Sequence, residues 1–244
     1  MSERASQRTA IVTGGGKRVG AAIVAALIAD GWRVVAHVHD ADDAVPDGAV
    51  KVVADLAAAD CAETIFEAAA GPVSLLVNNA ARFAWDAFGE ASAREFDAHM
   101  AVNARAPMLL IDALAARHGK GRDALVVNIL DAKLAAPNPD YLSYSLSKYA
   151  AAGLTELAAR ALAGKGIRVN GIAPALMLPS GPQDAAAYAR VHALNPLGRG
   201  VEVDQIVDAL QFLIAQPALT GQTLVIDGGQ RFMALARDVQ FVEP

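Results

Sequence analysis

The 244-residue chain has one cysteine, Cys61, so an intrachain disulfide is excluded; a lone thiol of this kind is read as packing rather than as a nucleophile. It has no run of lysine or arginine and carries a net charge of −5, which argues against a nucleic-acid surface, where a basic stripe is needed. Its longest apolar stretches, such as Ala21 to Ala29, are too short to span a bilayer, and the polar start Met1, Ser2, Glu3, Arg4 lacks the apolar core of a signal peptide. No internal repeat, low-complexity tract or Pro/Ser linker divides the chain, and no metal site is read from it. These absences leave a cytoplasmic protein acting on small molecules, with neither nucleic acid nor membrane as partner.

With 54% hydrophobic residues the chain can bury a full core, and its length suits one α/β domain covering residues 1–244. Strand-like runs fall near Thr9 to Thr13, Arg33 to Val38, Val50 to Val53, Val73 to Val77, Leu125 to Leu130, Ile167 to Asn170 and Thr223 to Ile226. Near-continuous apolar strands separated by helical segments predict a doubly wound, Rossmann-type parallel sheet of about seven strands with helices on both faces. The most irregular stretch runs from Pro174 to Gly200, where Pro174, Pro179, Pro182 and Pro196 punctuate a short helical piece. A loop of that length in a compact domain predicts a substrate lid, around residues 175–200.

The first strand enters a turn from Thr13 to Gly20 that contains Gly14, Gly15, Gly16, Lys17, Arg18 and Val19, and an apolar helix follows. Glycines let backbone N–H groups approach a pyrophosphate, and the helix offers its positive end to the same anion, so a dinucleotide site is expected here. Tyr144 precedes Lys148 by four residues, about one helical turn, which places phenol and ammonium on one face. The expectation is that the fixed positive charge lowers the phenol's pKa and makes Tyr144 a proton donor.

With Thr13 and Gly14 opening a turn that closes at Gly20, Asn78-Asn79-Ala80, Asn103, and Tyr144 followed by Lys148, the chain resembles the short-chain dehydrogenase/reductases from Thr9 to Gly229. Asp55 and Leu56 after the third strand, Arg168 to Pro174, and Gly221 to Gly229 extend the match. The resemblance implies that Asp55 meets the adenine amino group, that Asn79 and Ala80 line the cofactor, and that the Pro174 segment approaches the nicotinamide. It also implies that Asn103 holds a helix kink and a water passing protons to Lys148, and that the chain forms a homodimer or homotetramer.

Two departures sharpen the reading. The family usually has glycine at position 18 and serine thirteen residues before the tyrosine, whereas this chain has Arg18 and Asp131. With Lys17 and with Phe83 four residues after Asn79, these resemble pteridine reductases and dihydromonapterin-type reductases. That subgroup implies Arg18 beside pyrophosphate and substrate, and Phe83 sandwiching a pterin against the nicotinamide. A flat bicycle stacks well on an aromatic face, and Arg18 can donate in-plane hydrogen bonds to its oxygen. Tyr144 can supply the proton, and Asp131 can donate or relay one if burial keeps it protonated. The bland alternatives are Phe83 as core, Arg18 as a phosphate clamp alone and Asp131 as a structural acceptor. Ser143, Ser145 and Ser147 are expected to face solvent or cap the helix rather than replace the missing serine.

Cofactor choice rests on opposing signals. Lys17 and His39 suit a 2′-phosphate, while Asp40, twenty residues after Gly20, suits a free ribose hydroxyl. NADPH is favoured, with NADH possible. The function expected is NADPH-dependent reduction of a dihydropterin. The alternatives are a carbonyl or hydroxyl oxidoreductase, in which Asp131 only orients the oxygen, and a cofactor-binding regulator without turnover.

Overall fold

The computed structural model describes residues 8–177 and 185–241. Seven parallel strands, β1 (Thr9–Val12), β2 (Arg33–Val38), β3 (Val50–Val53), β4 (Val73–Asn78), β5 (Ala124–Ile129), β6 (Ile167–Pro174) and β7 (Thr223–Ile226), form one sheet in the order β3-β2-β1-β4-β5-β6-β7. The helices are α1 (Arg18–Ala29), α2 (Cys61–Glu67), α3 (Ala93–Met100), α4 (Ala106–Arg117), α5 (Leu142–Leu162), α6 (Ala185–His192) and α7 (Val203–Ala215). All seven strands read from apolar runs are present; β6 continues to Pro174, because its pairing with β7 extends through Pro174 and Ile226.

Alternation along the strands divides the core. Ala10, Val12, Val34, Leu75, Val77, Leu125 and Val127 pack on the α1 and α7 side, while Ile11, Val35, Leu76, Val126 and Val169 face α2, α4 and α5. β1, β4 and β5 are thus buried on both faces, which explains their unbroken apolar runs. Cys61 belongs to the second of these cores, and burial pushes its thiol pKa up, as suits a packing residue.

The strand order reverses between β1 and β4, and crossovers on opposite faces leave a crevice at the strands' carboxyl ends there. A buried polar chain ties that end together: Asn78 Nδ2 donates to Asn128 Oδ1 at 2.8 Å, and Asn128 Nδ2 donates to Thr155 Oγ1 of α5 at 2.8 Å. The helix that carries Tyr144 and Lys148 is thereby fixed to the tips of β4 and β5. None of the described helices is long and apolar enough to cross a membrane.

Candidate active site

A cleft of about 820 Å3 opens at the switch point. Gly14, Lys17, Arg18, Val19, Gly20, His39, Asp40, Asp55, Leu56, Asn79 and Ala80 line one end, and Phe83, Asp131, Tyr144, Lys148 and Pro174 line the other. Of the residues given a catalytic, cofactor or substrate role from the sequence, Asn103 alone is not in the cleft wall, although its neighbour Val102 is.

The glycine turn is shaped by contacts that leave no room for side chains. Gly14 has φ of +64°, and a Cβ on Gly20 would stand 2.0 Å from the Gly14 carbonyl oxygen. Asn79 holds the turn, its Nδ2 donating to the carbonyls of Thr13 (2.9 Å) and Gly14 (3.2 Å), while Thr13 Oγ1 accepts from the backbone of Asn79 and Ala80. His37, 2% exposed in a strand whose other buried residues are apolar, locks the turn from below. Its Nδ1 accepts from Gly14 N–H at 3.2 Å and its Nε2–H donates to Ala54 O at 3.0 Å, a neutral tautomer that burial favours by lowering the pKa. A polar residue at a core-facing strand position was the sequence signal for this brace. The bare backbone and the amino end of α1 suit a pyrophosphate, so the residues present fit a dinucleotide.

Position 18, where the family usually has glycine, holds a backbone conformation that suits glycine. Arg18 is an exposed non-glycine residue at φ of +53°, a backbone region that disfavours a Cβ. Lys17 reaches Asp43 at 3.5 Å, with His39 and Asp40 exposed beside them at the cleft mouth. Asp55 Oδ1 accepts from Ala57 N–H at 2.8 Å, which fixes the loop after β3.

At the other end, α5 begins unusually. Tyr141 sits in the left-handed region (φ +57°) and does not cap the helix with its own side chain. Buried Asp86, from the loop after β4, does so instead: its Oδ1 accepts from Ser143 N–H at 2.9 Å and its Oδ2 from the Ser143 hydroxyl. The same loop carries Phe83, whose ring stacks on Tyr141 (4.3 Å between centroids, 20°) and meets Tyr144 edge-on (4.7 Å, 88°). Phe83 is 44% exposed. It is therefore not core, and the packing alternative falls.

Tyr144 Oη donates to Asp131 Oδ2 at 2.7 Å, and Asp131 Oδ1 accepts from Lys133 N–H at 2.8 Å. Lys148 donates from Nζ to the Ile129 carbonyl at 2.7 Å and stands 5.7 Å from the Tyr144 ring centre. Phenol and ammonium share the face that their spacing predicts, but the expected acidification of Tyr144 does not occur. Burial holds the phenol well above its ordinary range, and the charge and hydrogen bond of Asp131 push the same way. Burial also raises the Asp131 pKa, against the opposing pull of Lys133 N–H, Tyr144 and Lys148, and lowers that of Lys148 to about 8. One edge of Asp131 reaches the cleft and protein crowds the rest, so burial favours the protonated form of both groups.

Asn103 lies in a π-helical turn, Ala101–Arg105, between α3 and α4, which is the kink its position implies. Its Oδ1 accepts from Arg82 N–H (2.7 Å), and its Nδ2 donates to Arg82 O and Ser147 Oγ (both 2.9 Å). Every side-chain hydrogen-bonding group is thus used to join α5 to the loop after β4. Ser143, Ser145 and Ser147 are buried, at 1%, 9% and 0% exposure, and do not face solvent as expected. The α5 surface carrying Ser143 and Ser147, one turn apart, packs toward α3 and the kink, where Ser143 meets Asp86 and Ser147 meets Asn103.

Sequence reasoning missed one wall altogether. Leu235, Asp238, Val239 and Gln240 line the cleft, beyond the last motif at Gly229. Arg237 grips buried Asp140 with two nitrogens (2.7–3.0 Å), and Asp238 pairs with Lys133 at 3.3 Å. These partners stand about a hundred residues apart in the chain, and nothing local marks them. Of the segment expected to be a lid, residues 175–177 and 185–200 are described, with α6 as its helical piece; Pro179 and Pro182 lie outside the described residues.

A family profile described as enoyl-(acyl carrier protein) reductase matches residues 16–231. The chain belongs to the short-chain dehydrogenase/reductases. This short-chain dehydrogenase/reductase is 35% identical to L-xylulose reductase of Bos taurus over 94% of its own length and 98% of the relative's. Pteridine reductase 1 of Leishmania tarentolae is 31% identical, over 90% of this chain and 95% of that one. Among solved structures, FolM alternative dihydrofolate reductase 1 from Brucella canis, complexed with NADP, superposes with a TM-score of 0.87 at 34% identity, covering 92% of this chain and 94% of that one. The chain is an oxidoreductase of this family.

Proposed function

We propose that this enzyme uses NADPH to reduce a ring C=N of a dihydropterin or closely related heterocycle. The observation that carries the reading is Phe83: a half-exposed aromatic ring in the cleft wall, braced on one face by Tyr141 and set edge-on against Tyr144 beside the Asp131 carboxyl. A flat heterocycle held there by stacking lies within reach of the proton-bearing pair. The likeness to a pteridine reductase and to an NADP complex of a dihydrofolate reductase supports both substrate class and cofactor.

The nicotinamide, when bound, supplies the hydride that adds to the ring carbon. Tyr144 gives its hydroxyl proton to the ring nitrogen, and the phenolate left behind is a strong base in this buried setting, so it recovers a proton from Asp131 across their 2.7 Å hydrogen bond. Lys148 places positive charge behind the pair, and Asp131 is reprotonated through the cleft. Asn103 positions α5 through Ser147. Gly14, Gly20 and the amino end of α1 hold the pyrophosphate, with Asn79 and Ala80 supporting the turn and Val19 lining it. Lys17 and His39 meet the 2′-phosphate, Lys17 exchanging Asp43 for it, and Asp40 bounds that pocket. Asp55 and Leu56 flank the adenine, and Pro174 borders the nicotinamide.

A second reading is reduction of a sugar ketone, favoured by the identity to L-xylulose reductase. Oxidation of NADPH measured with dihydropterins and, separately, with L-xylulose decides between them; turnover confined to the ketose sinks the pterin reading.

Two variants test particular residues. Phe83→Ala is expected to weaken dihydropterin binding several-fold, the loss of an aromatic contact worth about 0.5–1.5 kcal/mol, with cofactor affinity nearly unchanged. Unaltered pterin affinity would reduce Phe83 to a bystander. Arg18→Gly relieves a left-handed Cβ, so thermal stability of the cofactor-free chain should hold or rise while affinity for both cofactor and pterin falls by roughly tenfold. Undiminished affinity for both ligands would remove Arg18 from the site.

A further inference from the structure

The C-terminal wall of the cleft is fixed in place but ends in a pair of hydrogen-bond donors with no acceptor among the described residues. Asp140, 3% exposed, accepts from the Arg237 guanidinium and from Asp238 N–H at 2.7 Å, and the guanidinium holds its carboxyl below the usual range. Lys133, whose backbone N–H serves Asp131, sends its ammonium to Asp238 and to the Asp140 carbonyl. Asp238 Oδ1 in turn accepts from Gln240 N–H at 3.2 Å. The strap is thus tied to the loop that presents Asp131, and a movement of one is resisted by the other.

Gln240 is the outermost part of that mount. Its Oε1 accepts from Tyr141 Oη at 3.2 Å, and Tyr141 is the ring stacked behind Phe83. With the oxygen engaged, the amide plane is set and the direction of the two Nε2–H bonds follows. Among the described residues Nε2 has no acceptor, and the side chain is half-buried in the cleft wall. A donor pair fixed in orientation and left open to a ligand pocket suits an acceptor on the ligand.

We propose that Gln240 is a specificity-determining residue, its amide N–H groups binding a hydrogen-bond acceptor of the substrate remote from the reacting bond. The acceptor is a ring carbonyl or ring nitrogen at the edge of a planar heterocycle, and only this identity rests on the function proposed above. The interaction acts on substrate and not on cofactor, because the strap borders the Phe83 and Tyr141 end of the cleft.

The test uses the full chain loaded with NADP+, which forms a dead-end complex with dihydropterin, and reads dihydropterin affinity by calorimetry. KM and kcat for dihydropterin and for L-xylulose are measured alongside. Gln240→Met keeps length and bulk and is expected to weaken dihydropterin binding by about tenfold, the loss of one or two hydrogen bonds to a ligand, with kcat within about threefold and NADP+ affinity unchanged. Gln240→Glu should weaken it at least as much, since a carboxylate cannot donate and repels an acceptor. Tyr141→Phe deletes the Tyr141 to Gln240 bond but leaves the amide, so its effect should be smaller than that of Gln240→Met. Wild-type affinity in Gln240→Met or in Gln240→Glu overturns the proposal. Equal losses in Gln240→Met and Tyr141→Phe also overturn it, because Gln240 would then act only through the ring stack. If only L-xylulose is turned over, the pterin reading has failed; a tenfold KM increase for the ketose in Gln240→Met would still sustain Gln240, and an unchanged KM would end that proposal as well.

Discussion

Tyr144→Phe is expected to lower kcat by roughly 10²-fold or more with little change in cofactor affinity. The substitution removes one oxygen and keeps the ring that Phe83 meets edge-on, so packing around the cleft survives. The expected loss is large because that hydroxyl is the group proposed to pass a proton to the substrate, and the one that connects Asp131 to it. With Tyr144 gone, Asp131 has no placed relay. Stopped-flow measurement of a single turnover, with cofactor binding measured separately, checks the claim; a near-normal rate would leave Asp131 as the acid and Tyr144 as packing.

The pH profile should then expose Asp131. Burial raises its pKa, so the protonated form persists above the ordinary carboxylate range and is lost as pH rises through the shifted value. If the protonated form is the active one, wild-type kcat falls with rising pH over that limb and is highest on its acid side. Asp131→Asn cannot titrate and cannot return a proton to the Tyr144 phenolate, so its kcat should be at least about tenfold lower and flat over the same range. Lys148, with its pKa near 8 and held up in part by the Asp131 charge, should appear as a further change near that pH in the wild type and at lower pH in Asp131→Asn. An Asp131→Asn profile that keeps the acid limb would assign it to another group. Asp131→Ser separates the two substrate readings: it should depress pterin reduction while sparing reduction of a ketone, whose oxygen a serine hydroxyl can orient.

Local pattern and chemistry were legible without a structure. The seven strands followed from apolar runs whose continuity reflects burial on both faces, as β5 shows, where all six residues are buried. The glycine turn could be read because Gly14 and Gly20 answer to backbone constraints within a few residues of themselves, and Tyr144 with Lys148 because one helical turn joins them. The same reasoning failed where the environment overrides the residue. It expected Lys148 to acidify Tyr144, but desolvation and the neighbouring carboxylate outweigh an ammonium engaged with Ile129. It expected three serines of α5 to face solvent or cap the helix, though all three are buried and Ser143 and Ser147 turn inward against Asp86 and the π-helical turn.

By itself, then, the sequence determined the doubly wound sheet, the glycine turn and the placing of Tyr144 and Lys148 on one helix face, because each is specified by neighbours a few residues apart along the chain. Only the tertiary structure decided how those groups titrate and what surrounds the substrate end. Burial of Asp131 and Tyr144, the Asp86 cap that sets Phe83 against α5, and the strap clasped by Arg237 to Asp140 all depend on segments separated by tens of residues or about a hundred. Contacts of that kind leave no period or spacing in the chain, since their partners meet only after the sheet has brought its carboxyl-terminal loops together.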